Sequence, residues 1–278
     1  MPAMRRNPSR KGLSASARAA AAAARLMEAH ERRERFTALP AELAPRSAEE
    51  AYAIQDAFVA LRAQKLGGIV GYKIALASEA MRRFVGVDRP QAGAMLESTL
   101  QRTPGRVRAA DYVRLIVEFE IAVQIAEDLP AADAPFFRER VQAAAGAVMP
   151  AIELADDRQA DYAELARHPF ELIADNGWNE GAILGEPAKE WKAIDLSRVR
   201  GIASVNGQLV GQGKGSDAMG HPFDAVAWVA DHLAAHGRGL LRGDVVITGS
   251  LVTSQAVKAG DLVRFDLDGL GSVELRVD

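Results

Sequence analysis

The feature that most constrains the fold is a change of pattern near residue 68. Before it, apolar residues recur with helical spacing over residues 17–36 and 48–65. After it, short apolar runs alternate with glycine, proline and aspartate, as strands and turns do. The predicted strands cover residues 69–76, 115–125, 148–153, 181–184, 202–205, 245–248, 262–267 and 272–277. Many strands after a helical start predict a β-rich α+β fold with an N-terminal helical segment.

Local signals place several element boundaries. Ser47 followed by Glu50 predicts a capping box at the start of the second helix. Asn206-Gly207 between two β-like runs predicts a hairpin. Four further helices are predicted at residues 78–84, 135–145, 162–166 and 223–235.

Composition excludes several classes of protein and site. The chain has no cysteine, so disulfides, thiolate metal sites and cysteine nucleophiles are excluded. A net charge of −3 gives no electrostatic reason to expect nucleic acid or an anionic membrane as a partner. No apolar stretch is long enough to span a bilayer. The basic residues before Gly12 leave a transit peptide as an alternative, but we prefer a basic tail on a cytoplasmic protein.

The run Leu115-Ile-Val-Glu118-Phe-Glu120-Ile-Ala-Val places two carboxylates two residues apart on a predicted strand. Side chains two apart share one face of a strand, so Glu118 and Glu120 should lie side by side. Two such carboxylates repel each other unless a cation lies between them. The alternative is a half-buried strand with these glutamates in water, which the apolar Ile116 and Ala122 on the same face disfavour.

Glu153 ends another apolar run and is a third candidate ligand, whereas Asp156 and Asp157 beyond it fit a solvated turn better. Three carboxylates without cysteine or a neighbouring histidine favour Mg²⁺ or Mn²⁺ over Zn²⁺. Lys73 lies within an apolar strand, where a lysine is rarely buried without a partner. Near a metal its pKa should be lowered, so that it could move protons; an exposed strand lysine is the alternative.

Three other features have weaker functional interpretations. His221 could be a base but fits a structural turn better, and the glycines of residues 211–220 lack the spacing of a phosphate loop. Ser250 lacks the context of a hydrolase nucleophile and is expected to contact a substrate carboxylate instead.

These motifs follow one another in a specific order. Gly71-Tyr-Lys73-Ile-Ala comes first, then Glu118-Phe-Glu120, Ala151-Ile-Glu153, Asp175-Asn176 and Thr248-Gly-Ser250. From about residue 48 to the C-terminus, this order resembles the 2-keto-4-pentenoate hydratases and 4-oxalocrotonate decarboxylases of the fumarylacetoacetate hydrolase superfamily.

The resemblance implies a β-rich fumarylacetoacetate hydrolase C-terminal-like fold around a metal pocket. Residues 47–278 would form a single catalytic domain, preceded by a basic tail and N-terminal helix over residues 1–46. It also implies a homo-oligomer, with a complex with a related pathway enzyme as a further expectation. The expected metal ligands are Glu118, Glu120 and Glu153, the catalytic residue is Lys73, and the substrate-binding residues are Leu76, Gln91, Trp178 and Ser250.

The implied activity is a metal-dependent lyase of aromatic-compound catabolism that acts on a small 2-oxo or 2-hydroxy-enoic acid. A hydratase of 2-hydroxy-2,4-dienoates is expected first, and a 4-oxalocrotonate-type decarboxylase is the alternative. Gln91 stands where the hydratases usually carry an acid, and Gly177-Trp178 stands where they have a small hydroxyl residue. Hydrolysis of a C–C bond ranks third, because the N-terminal His30 lies in a surface-like helix. A catalytically silent partner subunit is a non-enzymatic alternative.

Overall fold

The computed structural model describes residues 14–278, apart from the side chains of Ala80 and Phe84; the predicted basic tail lies outside this range. The helices are α1 (Ala15–Glu31), α2 (Ala48–Leu66), α3 (Glu79–Val85), α4 (Arg138–Ala144), α5 (Tyr162–Leu165), α6 (Glu171–Ala174) and α7 (Pro222–Ala235). Within residues 14–278, no helix has the length and apolar character needed to cross a membrane.

The strands form two sheets. They are β1 (Ile69–Ala75), β2 (Gln91–Leu96), β3 (Leu100–Arg102), β4 (Gly105–Val107), β5 (Leu115–Ile125), β6 (Ala145–Asp156), β7 (Asn179–Leu184), β8 (Arg200–Val205), β9 (Gln208–Lys214), β10 (Val245–Ile247), β11 (Val252–Ala256), β12 (Leu262–Leu267) and β13 (Gly271–Val277). The first sheet has the order β2-β1-β10-β5-β6-β7-β3, with β11 also paired to β5, and the second has the order β4-β13-β12-β8-β9. The predicted β-rich α+β fold is confirmed.

The apolar core between the sheets fixes the direction of the side chains on β5. The ring of Phe119 packs against Phe265 of the second sheet, with ring centroids 5.5 Å apart. Ile121 and Val123 are buried in the same apolar cluster. Since successive side chains of a strand alternate between its faces, Glu118 and Glu120 project from the opposite face, as predicted.

The N-terminal helices share a second apolar cluster, in which Leu26 of α1 and Phe58 of α2 are buried with Ile173 of α6. Helix α1 ends before the predicted residue 36, because Arg33 takes a positive φ of 52° that a helix cannot contain. At the start of α2, Ser47 accepts from the Glu50 amide as predicted. The division of the chain after residue 46 stays a prediction.

The capping box itself is incomplete, because the Glu50 carboxylate accepts from the Arg46 amide rather than from Ser47.

The predicted hairpin is confirmed: Asn206 and Gly207 have φ of 53° and 76° between β8 and β9, as a type I′ turn requires. The predicted strands did not include β2, β3, β4 and β11, and β9 was implied only by the hairpin. Strand β2 has the sequence Gln-Ala-Gly-Ala-Met-Leu, and its small residues have low β propensity although all six are buried.

Candidate metal centre and active site

The three predicted metal ligands converge. Glu118 and Glu120 lie on β5, and Glu153 lies directly opposite Glu118 on the neighbouring strand β6. One carboxylate oxygen from each of the three lies within 4.8 Å of the other two. Glu120 and Glu153 are fully buried. The antiparallel register of β5 and β6 is therefore what assembles the cluster.

The electrostatics of this cluster favour a bound cation. Burial, together with Glu153, raises the pKa of Glu118 to about 7. Burial and the two other carboxylates raise the pKa of Glu120 well above its ordinary value. One oxygen each of Glu120 and Glu153 is buried without a hydrogen-bond partner. Buried, unpartnered carboxylate oxygens are costly, and a hard divalent cation would satisfy them.

The other oxygen of Glu120 and of Glu153 is held by a neighbouring group. The Gly249 amide donates to Glu120 Oε2 at 2.6 Å, and Asn179 Nδ2 donates to Glu153 Oε1 at 2.9 Å. Such bonds orient carboxylates around a metal and are part of how a site selects its ion. Two oriented carboxylates with free oxygens, and Glu118 beside them, fit a hard divalent cation.

Lys73 is buried beside the cluster. Its Nζ lies 3.0 Å from Glu153 Oε1 and donates to the Gly177 carbonyl at 3.4 Å. Burial lowers the pKa of Lys73, but Glu153, Glu118 and Glu120 outweigh it and raise the pKa above its ordinary value. The three carboxylates alone therefore favour the protonated form of Lys73. The expected lowering of its pKa concerns Lys73 beside a bound metal and stays a prediction.

Lys73 and Glu118 line a cavity of about 170 Å³. Three of the four predicted substrate-binding residues, Leu76, Trp178 and Ser250, line it together with Lys73 and Glu118. The Ser250 hydroxyl accepts from the Phe119 amide at 2.9 Å and donates to the Val252 carbonyl at 2.7 Å. Its hydrogen is thus engaged with the backbone, and its predicted contact with a substrate carboxylate stays a prediction.

Gln91, the fourth predicted substrate-binding residue, does not line this cavity. It lines a second cavity, of about 590 Å³, with Tyr52, Trp228 and His232. Its side chain is 2% exposed, and neither amide atom has a hydrogen-bond partner. Gln91 is paired with Ala75 at the end of β1, but it is not among the residues that line the first cavity.

Trp178 belongs to a strained turn at the cavity wall. Asn176, Gly177 and Trp178 have consecutive positive φ values of 53°, 60° and 59°, and non-glycine residues adopt such values at a cost. The side chain of Asn176 holds the turn by bonding both the amide and the carbonyl of Ala94. This turn presents the Gly177 carbonyl to Lys73 and the Trp178 ring to the cavity.

A buried charge network behind this turn was missed. His30 Nε2 lies 2.6 Å from Asp175 and its Nδ1 lies 3.3 Å from Glu180. Arg158 pairs with Asp175, and Arg62 pairs with Glu180. The prediction of a surface-like His30 is wrong, because α1 packs on α2 and carries this ring inward. No local pattern links residues 145 positions apart, so the sequence held no signal for the contact.

The network predicts a pH-dependent stability. Burial alone would lower the pKa of His30, but Asp175 and Glu180 outweigh it and raise the pKa to about 9. A raised pKa stabilises the fold below the unfolded value of about 6.5, and this stabilisation is lost as pH rises through about 9. The stabilisation from the raised pKa of His30 is on the order of 3 kcal/mol.

We therefore expect the wild type to lose unfolding free energy between pH 6.5 and 10 relative to His30→Gln, measured by urea unfolding. The exposed His168, changed to glutamine, is the matched control and should follow the wild type. If the free energy of unfolding changes with pH in the same way in the wild type and in His30→Gln, His30 does not contribute this stabilisation.

Three other predicted features have structural roles. Asp156 accepts from the Val113 and Arg114 amides, and the buried Asp157 pairs with Arg114, so the predicted solvated turn is wrong. Neither aspartate joins the glutamate cluster. His221 caps α7 by accepting from the Phe223 amide, which is the structural role predicted for it.

The chain is similar to known proteins over most of its length. The family model described as fumarylacetoacetate (FAA) hydrolase C-terminal matches residues 76–278. A 2-keto-4-pentenoate hydratase of Paraburkholderia phymatum is 34% identical over 90% of this chain and 94% of its own. Another from Burkholderia vietnamiensis is 35% identical over 80% of this chain and 83% of its own.

Among solved structures, the 4-oxalocrotonate decarboxylase from Pseudomonas putida G7 superposes with a TM-score of 0.85. It is 26% identical, and the match covers 99% of this chain and 100% of that one. That structure is a complex with magnesium and adipate, and a second structure of the same enzyme contains calcium and acetate.

Proposed function

Because this chain belongs to the fumarylacetoacetate hydrolase family, we propose that it is a divalent-metal-dependent lyase that hydrates a 2-hydroxy-2,4-dienoate. The product would be a 4-hydroxy-2-oxo acid. The proposal rests on the convergence of Glu118, Glu120 and Glu153 beside a buried lysine. Of these groups, Glu118 and Lys73 line a small cavity. The two hydratases described above support the reaction type.

Mg²⁺ or Mn²⁺ is the proposed ion, since only oxygen ligands are offered. Glu118, Glu120 and Glu153 would hold it, with Gly249 and Asn179 orienting two of the carboxylates. When bound, such an ion supplies Lewis acidity to a substrate carboxylate and the adjacent C2 oxygen, which favours the enolate form.

Lys73 is the proposed proton carrier. Its ammonium group is held at the cavity wall by Glu153 and the Gly177 carbonyl. It would deliver a proton to the terminal carbon of the dienoate, and the resulting amine would take up the proton of the 2-hydroxyl group. The tautomer so formed is an α,β-unsaturated 2-oxo acid, to which water adds at C4. Buried apolar walls keep other water away from the intermediate.

A decarboxylase of a 4-oxalocrotonate-type acid is the second candidate. The superposition over 99% of the chain favours it. C–C bond hydrolysis ranks lower, because His30 is engaged with Asp175 and Glu180 rather than lining the cavity. The complete set of carboxylates and lysine disfavours a silent subunit.

The reaction is tested with the purified protein loaded with Mg²⁺ and supplied with 2-hydroxypenta-2,4-dienoate. We expect the ultraviolet band of the dienoate to disappear without release of CO₂. Release of CO₂ from 4-oxalocrotonate, with no loss of the dienoate, would identify the decarboxylase instead. If Mg²⁺ and Mn²⁺ both leave every dienoate and enedioate unchanged, the chain is not this enzyme.

A role in aromatic-compound catabolism belongs to the same proposal, because small dienoates of this kind would be its substrates. The homo-oligomer, the complex with a related pathway enzyme and the cytoplasmic location stay predictions.

A further inference from the structure

Much of the wall of the active-site cavity is apolar. Besides Lys73 and Glu118, the lining includes a buried apolar cluster of the chain and the partly exposed Met81. These side chains are Met81, Val85, Ile116, Leu165, Leu172 and Trp178. A substrate whose head lies at the carboxylate cluster would therefore place its tail against hydrocarbon.

Among the described residues that line this cavity, Lys73 is the only cation. It is already paired with Glu153, beside the proposed position of the substrate's head. Two arginines contact lining residues without entering the lining themselves. Arg82 donates to the Leu76 and Ala77 carbonyls, and Arg114 is paired with Asp157. Apart from Lys73, no described cation therefore lines the cavity to pair with a second carboxylate.

The third charged residue of the lining has the wrong sign to pair with a second carboxylate. Asp157 lines the cavity and is 1% exposed. Arg114 and the Tyr162 hydroxyl neutralise and hold it. A carboxylate placed here would lose its water without gaining a partner, which is strongly unfavourable for a charged group.

From these walls we infer that the site selects monocarboxylic acids with a short apolar tail and rejects dicarboxylic acids. This inference rests on the proposed function, since it assumes that an oxo-acid head binds at the carboxylate cluster. The tail must be short, because a cavity of about 170 Å³ is only slightly larger than one of ~150 Å³ that holds a benzene ring.

Binding is a better test than turnover. If an enedioate were forced into this cavity, burial of its departing carboxylate would destabilise the bound acid and could speed loss of CO₂. Turnover would then report on that destabilisation as well as on affinity. Two unreactive acids of equal length, 2-oxohexanoate and 2-oxoadipate, avoid the problem because they differ only in a terminal methyl group or carboxylate.

The experiment is calorimetric titration of each acid into the Mg²⁺-loaded protein. We expect 2-oxohexanoate to bind at least ~100-fold more tightly than 2-oxoadipate, because an uncompensated buried carboxylate is costly. Equal affinities, or tighter binding of 2-oxoadipate, would overturn the inference while leaving the proposed function intact. If neither acid binds, there is no oxo-acid site, and the proposed function and the inference both fail.

A pair of variants tests whether the missing cation is the cause. Met81 lines the mouth and is 41% exposed, so it tolerates polar replacement without loss of the fold. Met81→Lys should improve binding of 2-oxoadipate about tenfold, whereas Met81→Gln, of similar length but uncharged, should not. An equal gain in both variants, or no gain in a Met81→Lys protein that still binds 2-oxohexanoate, would show that charge is not the discriminating feature.

Discussion

Glu118→Gln should lower the affinity for Mg²⁺ and Mn²⁺ by more than ~100-fold, beyond the 10–100-fold that follows loss of an outer-shell partner. The change removes one of three negative charges and one ligand oxygen while keeping the shape of the side chain. Because less metal is bound, the activity of the variant should also be lower at any metal concentration below saturation. Calorimetric titration of the metal measures the affinity directly.

The fold should survive this change, because the burial of the Glu118 carboxylate disfavours its charge in the absence of a cation. Glu171→Gln is a matched control: it is also a buried carboxylate, with a pKa raised to about 7 by burial, but it accepts from the Leu39 amide away from the cluster. It should bind the metal as the wild type does. A Glu118→Gln protein with wild-type affinity would remove Glu118 from the metal centre.

Lys73→Met should lower kcat by ~10²–10⁴-fold, the range in which a positioned proton carrier contributes. KM should change much less, because the carboxylate cluster that holds the substrate's head remains in place. Steady-state kinetics on the dienoate, with the metal saturating, gives the two constants separately.

Lys65→Met is the control, since Lys65 is exposed and pairs only with Glu31 on the surface. It should leave kcat unchanged. Circular dichroism and metal titration of Lys73→Met should match the wild type, which would separate a loss of chemistry from a loss of structure. A wild-type kcat in Lys73→Met would exclude the proposed proton transfer.

Strand periodicity predicted much of the fold because buried strands carry long apolar runs. Strand β5 was predicted with its observed bounds, and the alternation along it placed Glu118 and Glu120 on one face. Strand β2 was missed because its small residues resemble a loop, although tertiary packing buries all of it. Helix α6 is a single turn, too short to show a period.

The site was predictable where its residues share a strand or an ordered motif. Glu153 was named as a ligand, yet only the register of β5 and β6 shows that it lies opposite Glu118. The contacts of His30 were not predictable, because they join α1 to residues more than a hundred positions away. The resemblance likewise gave the position of Gln91 in the chain but not which cavity its side chain enters.

If Glu118, Glu120 and Glu153 hold one divalent cation, that ion should be visible by anomalous diffraction from a crystal grown with Mn²⁺. We expect one strong peak per chain, bonded at ~2.2 Å to an oxygen of each of the three carboxylates, a distance usual for a hard cation with oxygen ligands. No peak at this position with Mn²⁺ saturating, or a peak bound by other residues, would show that the three glutamates do not form the metal site.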